Sequence, residues 1–252
     1  MARFHGSITV SALPRQWFET FVADLYEVLE TARVVDGAVV TEIGEIEGVR
    51  LVKGRHLATG ARYRLEGDGE ADDDSTSELV VSRWSRRRET SVEFTSSDGD
   101  GTASGVLRFD SATRPRNFTM AGRYQGSGRL RQMSWKGSAD IERWWEQVSE
   151  AGAKRAKPQL TARLSHSLVS LKLAIAAEPA DDGRWSIDVT LVVRGRSWAR
   201  PVGALASLFG GFALRRLFKR GLDDVRRGWE DNVPALVRED PLYAVGKVLI
   251  PP

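Results

Sequence analysis

Three histidines, His5, His56 and His166, are the only imidazoles in a chain of 252 residues that has no cysteine. They lie far apart, and none falls in an H-x-x-x-H or H-E-x-x-H spacing, the helical arrangements that bring two imidazoles to one metal. Without thiols, cysteine-ligated zinc, thiol nucleophiles, redox pairs and a disulfide framework are excluded together. No metal site and no cofactor is expected. A serine nucleophile would need a strand-turn-helix elbow of the G-x-S-x-G kind, and the sequence has none. The glycine clusters "DGDG" at 98–101 and "QGSG" at 125–128 sit between strand-like runs and not before a helix, so they read as hairpin turns and not as phosphate cradles. His166 has the best case for acid-base chemistry. It lies on an alternating strand expected to line a concave sheet, where an imidazole can titrate near neutrality. A lone histidine on an apolar face is more often a satisfied core residue, so His166 is a weak catalytic candidate.

The elements that would position such groups follow from periodicity. "HGSITVSA", residues 5–12, alternates and predicts a strand. From Pro14 onward Trp17, Phe18, Phe21, Leu25, Val28 and Leu29 recur at helical spacing, which predicts a core-facing helix that ends before Gly37. Between Val39 and Lys136 helical spacing gives way to short Val-, Leu-, Thr- and aromatic-rich runs separated by Gly and Asp: an antiparallel meander of eight strands, from "VVTEI" to "GRLRQMSW". A second helix is predicted from a Ser138 cap through "SADIERWWEQVSEAGAKRAK", stopped by Pro158, with one ring of Trp144-Trp145 buried and the other partly exposed. Leu160 to Ile175 alternates with a change of parity near Leu168, which reads as a bulge or bend. The strand "RWSIDVTLVVRG" then aligns Trp185, Ile187, Val189, Leu191 and Val193 on one face.

Net charge is only +3, from 37 basic and 34 acidic residues. Basic and acidic side chains alternate along most of the chain, whereas a nucleic-acid surface concentrates its cations on one face or tail. Nucleic acid is therefore an unlikely partner. The dense run Arg83-Trp84-Ser85-Arg86-Arg87-Arg88, preceded by Asp72-Asp73-Asp74, reads as a solvated turn or strand edge in preference to a phosphate-binding patch. There is no apolar run of about 20 residues that could span a bilayer and no secretory pattern at the start; a cytoplasmic location is expected.

The stretch "GGFALRRLFKRGLDDVRRGWEDN", residues 210–232, looks at first like a basic arm. On a wheel at about 100° per residue, Leu214, Phe218, Gly221, Leu222, Val225, Trp229 and Leu236 form one apolar stripe. Its charges oppose one another four residues apart: Lys219 with Asp223, Arg220 with Asp224, Arg226 with Glu230, Arg227 with Asp231. Self-neutralised in this way, it predicts a helix packed on the protein's own sheet, unlike the cationic face of a membrane-surface helix. Upstream, Leu205, Leu208, Phe209 and Phe212 point elsewhere, which places a kink or loop at Gly210-Gly211.

The residues "GSITVSALPRQWFETFVADL" near the start, and "WSIDVTLVVRGRSWARPVGAL" leading into "ALRRLFKRGLDDVRRGWE" near the end, resemble the START-like, polyketide cyclase/dehydrase-like helix-grip superfamily (SRPBCC). The resemblance covers roughly the first 30 and the last 70 residues. It implies an α+β fold in which a strongly curved antiparallel β-sheet wraps a long C-terminal helix, over a single elaborated domain, 1–252, with an extra internal helix inserted at 138–157. It also implies a function: non-enzymatic binding or carriage of a hydrophobic small molecule or lipid between sheet and helix. The expected lining is Phe218, Gly221, Val225 and Trp229 from the helix, facing Trp185, Ile187 and Val189. A cyclase- or dehydrase-type enzyme using the same cavity is one alternative. The other is a scaffold that binds a protein partner through a surface rich in Trp and Arg.

Overall fold

The computed structural model describes residues 1–66, 76–127, 131–149, 157–195 and 211–250. It is an α+β protein with extensive antiparallel sheet and few helices, and the chain divides into two compact units. The first comprises Met1–Leu13 and Gly128–Arg238; the second comprises Pro14–Ser127 and Glu239–Pro252. Strands and helices are numbered along the chain.

In the first unit β1 (Ala2–Ser11), β10 (Gln132–Asp140), β11 (Leu160–His166), β12 (Val169–Pro179) and β13 (Arg184–Gly195) lie in the order β1-β13-β12-β11-β10, with antiparallel pairings. Side chains alternate across a strand, so one parity of β1 (Phe4, Ile8 and Val10) is buried while its neighbours are more open. The register sets Gly6, Ile8 and Val10 opposite Val189, Ile187 and Trp185, which continues the same apolar row onto β13. Helices α2 (Ile141–Ser149) and α3 (Gly211–Arg238) belong to this unit; α2 packs on β12 and α3 on β1.

Two expectations are corrected here. The parity change near Leu168 is not a bulge in one long strand but the reversal of a tight hairpin. Leu164 pairs with Leu171 and Leu160 with Ile175, so even-numbered residues before the turn share a face with odd-numbered ones after it. The internal helix does not begin at Ser138, which is still in β10 with its hydroxyl 3.0 Å from that of Thr161. Asp140 makes the cap, its Oδ1 accepting from the Arg143 N–H at 2.9 Å. The rest of the expected insertion, residues 150–156, lies outside the described residues. So do Asp72-Asp73-Asp74, Gly128 of the "QGSG" turn, and the proposed kink at Gly210 with Leu205, Leu208 and Phe209 before it.

The second unit contains α1 (Arg15–Thr31), the strands β2 (Arg33–Val35), β3 (Ala38–Thr41), β4 (Gly44–Lys53), β5 (Arg62–Leu65), β6 (Thr76–Arg83), β7 (Glu89–Asp98), β8 (Gly101–Asp110) and β9 (Asn117–Gly126), and the final helix α4 (Pro241–Leu249). These strands pair in sequence order, each antiparallel to the next. The "DGDG" turn joins β7 to β8, with Asp98 Oδ1 accepting from the N–H groups of Asp100 and Gly101 at 2.9 and 2.8 Å. Val39, Ile46, Ala61, Tyr63 and Val81 form one core cluster; Val22 and Tyr26 of α1 with Ala112 form another. No helix among the described residues is long and apolar enough to cross a membrane.

Candidate functional site

The three histidines take three structural places, and no cluster of metal-ligating side chains occurs among the described residues. His5 Nδ1 lies 3.3 Å from the Thr190 hydroxyl at an exposed position. His56 Nε2 lies 2.8 Å from the Leu29 carbonyl, which can only accept, so Nε2 carries a proton. Its Nδ1 in the neutral ring accepts from the Tyr63 hydroxyl at 2.8 Å, and that hydroxyl oxygen accepts from the Leu57 N–H at 2.8 Å. Leu57 has φ +55, and this chain of bonds holds its left-handed backbone. Burial pushes the Tyr63 phenol up, partly offset by the Leu57 bond. His166, the catalytic candidate, ends β11. Its Nδ1 accepts from the Leu168 N–H at 3.2 Å, which places the ring in the turn of the β11–β12 hairpin.

The face expected between sheet and long helix is occupied by the protein's own side chains. Trp185, Ile187 and Val189 are buried along β13. Phe218 of α3 packs on Phe4 with ring centroids 5.9 Å apart. Leu222 reaches over Gly6, where an added Cβ would come within 2.7 Å of its Cδ1; the missing side chain at Gly6 is what lets α3 approach. Trp229 sits 6.3 Å from Trp185, whose ring also meets Trp144 and Trp145, each at 5.7 Å. Trp145 is buried and Trp144 half-buried, so this pair divides as the sequence predicts. Edge-on and tilted contacts of this kind contribute about 0.5–1.5 kcal/mol per pair beyond burial.

Gly221 and Val225 do not join that face, which corrects their assignment to it. Val225 is 59% exposed, and a Cβ at Gly221 or Gly228 would meet nothing within 4 Å. The contact face runs through Phe218, Leu222, Trp229 and Glu230, displaced around the axis from the apolar stripe by roughly 60° at about 100° per residue. The displacement has a polar cause. Glu230 does not pair with Arg226. Its carboxylate accepts from the Ser11 N–H at 2.8 Å, the Ser11 hydroxyl at 2.7 Å and Arg184 Nη2 at 2.6 Å. The Trp229 indole N–H donates to the Ser11 carbonyl at 2.9 Å. Together these bonds fasten α3 to the end of β1 and the start of β13. The Ser11 hydroxyl, then Arg184, holds the Glu230 carboxyl below the usual carboxylate range against the opposing effect of burial. On the free side of α3, Arg227 turns back to Asp224 and not forward to Asp231.

A concave site lies elsewhere, in the second unit. A groove of about 620 Å³ runs along α4 and is lined by Ile43, Leu242, Tyr243, Gly246 and Ile250 together with the charged Asp240 and Lys247. That volume falls in the range of small-molecule sites. Two of its lining side chains, Ile250 and Ile43, lie close over glycines. Gly44 has φ +141, and a Cβ there would come within 2.8 Å of Ile250 Cδ1; a Cβ at Gly246 would stand 3.4 Å from Ile43 Cδ1. Both charged lining groups have partners within the protein. Asp240 caps α4, accepting from the Leu242 N–H at 3.0 Å, and Pro241 begins the first turn. Lys247 donates to Glu239 at 2.5 Å and lies 4.9 Å over the Tyr243 ring, and the Glu239 bond raises its ammonium pKa. The Trp17 indole N–H donates to the Glu239 carbonyl at 3.1 Å, tying the start of α4 to α1. Apolar surface is what remains available: Ile43, Leu242 and Tyr243 are 44, 46 and 61% exposed.

Sequence reasoning did not single out this region, although its signals are present. Asp240-Pro241 is a cap and first-turn pair, followed by Leu242, Val245 and Leu249 at helical spacing.

No family model matches the chain, and no curated protein matches it. Among solved structures, DynU16, described as a protein in the dynemicin biosynthetic locus, aligns over 79% of this chain and 87% of its own, with 11% identity and a TM-score of 0.22. A likeness of that strength carries no inference about this chain.

Proposed function

We propose that the protein binds a hydrophobic small molecule or lipid without transforming it, and that the α4 groove is where it does so. The observation that carries this reading is the groove itself: about 620 Å³ of concavity whose walls are Ile43, Leu242, Tyr243 and Ile250. Apolar walls favour an apolar guest at roughly 25 cal/mol per Å² removed from water. The charged lining residues Asp240 and Lys247 already have partners, so they suit orienting a ligand's polar end better than driving a reaction on it. The helix-grip arrangement belongs to the same reading, supported by α3 lying along β1 with Phe218 and Leu222 over Phe4 and Gly6. In it, the row of Trp185, Ile187 and Val189 with Phe218 and Trp229 is a packed wall of the fold.

Native mass spectrometry of the purified chain, with thermal shifts across a panel of fatty acids, phospholipids and polycyclic aromatics, tests the reading. A retained ligand mass or a concentration-dependent rise in Tm is expected, and Leu242→Glu should remove it without unfolding the protein, because Leu242 is 46% exposed. Apoprotein alone, with no shift across the panel, would refute it.

A further inference from the structure

The arginine run read from the sequence as a solvated turn or strand edge is joined in the structure by a second pair of arginines, distant in sequence. Residues 84–88 form the β6–β7 loop and residues 111–116 the β8–β9 loop. The two are bonded backbone to backbone: the Ser111 N–H donates to the Arg88 carbonyl at 2.8 Å and the Thr113 N–H to the Arg86 carbonyl at 3.2 Å. Ala112 and Pro115 are fully buried anchors, and Ser111, at φ +53, receives the Arg114 N–H on its hydroxyl at 3.3 Å. The loops therefore form one shaped surface.

Arg86 faces inward from it, with Nε 2.6 Å from Glu30 and Nη1 3.7 Å from Glu27 of α1. Arg83 lies 3.3 Å from Glu89. Arg87, Arg88, Arg114 and Arg116 are all exposed, and Arg114 and Arg116 also have partners within the protein. We propose that these two loops are a docking face for anionic membrane, with Arg87, Arg88, Arg114 and Arg116 meeting phospholipid headgroups. The planar guanidinium fork suits phosphate oxygens, and clustered basic residues adsorb to an anionic leaflet within a Debye length of it. A patch confined to two hairpin tips fits a surface better than it fits a strand of nucleic acid, which is held along a track with aromatic platforms for its bases. The aromatic beside this patch is already committed. The Trp84 indole N–H donates to Glu30 at 2.9 Å, and its ring packs 4.8 Å from Tyr26.

Co-sedimentation of the full chain with phosphatidylcholine vesicles, with and without phosphatidylserine, tests this proposal. Binding is expected only to the vesicles containing phosphatidylserine, weakening steeply with added salt. Arg87→Glu/Arg88→Glu and Arg114→Glu/Arg116→Glu should each lower the partition coefficient about tenfold or more, while Arg215→Glu/Arg216→Glu on α3 leaves it unchanged. Thermal melts of every variant verify folding, and the neutral pair Arg87→Gln/Arg88→Gln should lower binding by a smaller step. Any of these results would overturn the proposal: equal binding to both vesicles, equal loss from the α3 variant, or loop-dependent retention on single-stranded DNA tighter than on vesicles. Displacement by inorganic phosphate beyond that by sodium chloride of equal ionic strength would also overturn it, marking a single-anion site.

Discussion

The two long helices look alike in one-letter code and are built in differently. Helix α1, of 17 residues, buries Val22, Tyr26 and Val28. Helix α3, of 28 residues, buries none of its described side chains, and leaves Leu217 and Val225 67 and 59% exposed. What lies opposite each helix decides this. Tyr26 of α1 meets an aromatic floor, with Trp84 at 4.8 Å, Phe109 at 6.5 Å and Ala112 in the same cluster. α3 lies along β1, an end strand of its unit's sheet order, and touches it where Gly6 makes room and where Ser11 accepts a polar clasp. One helix is held by burial and the other by two points of attachment.

Loss of the aromatic floor should therefore give the largest effect. Tyr26→Ala removes a ring that is 5% exposed and makes two ring contacts, and should cost about 3–5 kcal/mol of stability in chemical denaturation. Tyr26→Phe separates packing from the hydroxyl. Burial raises the phenol's pKa, and the conservative change, which keeps the ring, should cost no more than about 0.5–1.5 kcal/mol. A Tyr26→Ala loss no larger than that would mean that α1 is held in the way α3 is.

For α3 the clasp is the point to break. Glu230→Ala leaves the Ser11 N–H, the Ser11 hydroxyl and Arg184 without their common acceptor, and should cost about 1–3 kcal/mol. The effect should depend on pH with a definite sign. The Glu230 carboxyl is held below its ordinary value when folded, so its contribution is complete above the unfolded pKa and is lost as pH falls through the folded one. Stabilities of wild type and Glu230→Gln should therefore approach each other in acid and separate toward neutrality. A difference that does not change with pH would show that the clasp acts by shape alone.

The same contrast marks how far the sequence was legible. Every strand of the predicted meander is present, because alternation records burial on one face and needs no knowledge of the partner. The three-residue β2 is too short to show a period. The β11–β12 turn was misread because a bulge and a tight hairpin leave the same parity change, and only pairing tells them apart. The stripe on α3 placed Phe218 and Trp229 correctly but not Gly221 or Val225. A wheel ranks residues by apolarity, whereas the helix was turned by Glu230 bonding to Ser11 and Arg184, 219 and 46 residues away. The histidines carried no information about their own roles for the same reason: His56 is defined by Leu29 and Tyr63. The α4 groove was missed by omission, since Asp240-Pro241 and the spacing after it were there to be read.

The smallest expected effect is the most direct check of the rotated helix. If the apolar stripe read from the sequence were the contact face, Val225 would lie at its centre and Val225→Ala would cost on the order of 1–3 kcal/mol, like other buried deletions. With the side chain 59% exposed, the cost should stay within about 0.5 kcal/mol. Leu222→Ala, three residues earlier and seated over Gly6, should cost clearly more. Gly6→Ala probes the same contact from the sheet side. Its new Cβ would meet the end of the flexible Leu222 side chain, which can move, so a moderate loss is expected that Leu222→Ala largely relieves. Such a rescue, with Val225→Ala near zero, would confirm that α3 grips β1 along the Leu222–Glu230 side. Comparable losses at Val225 and Leu222 would return the contact to the stripe's centre.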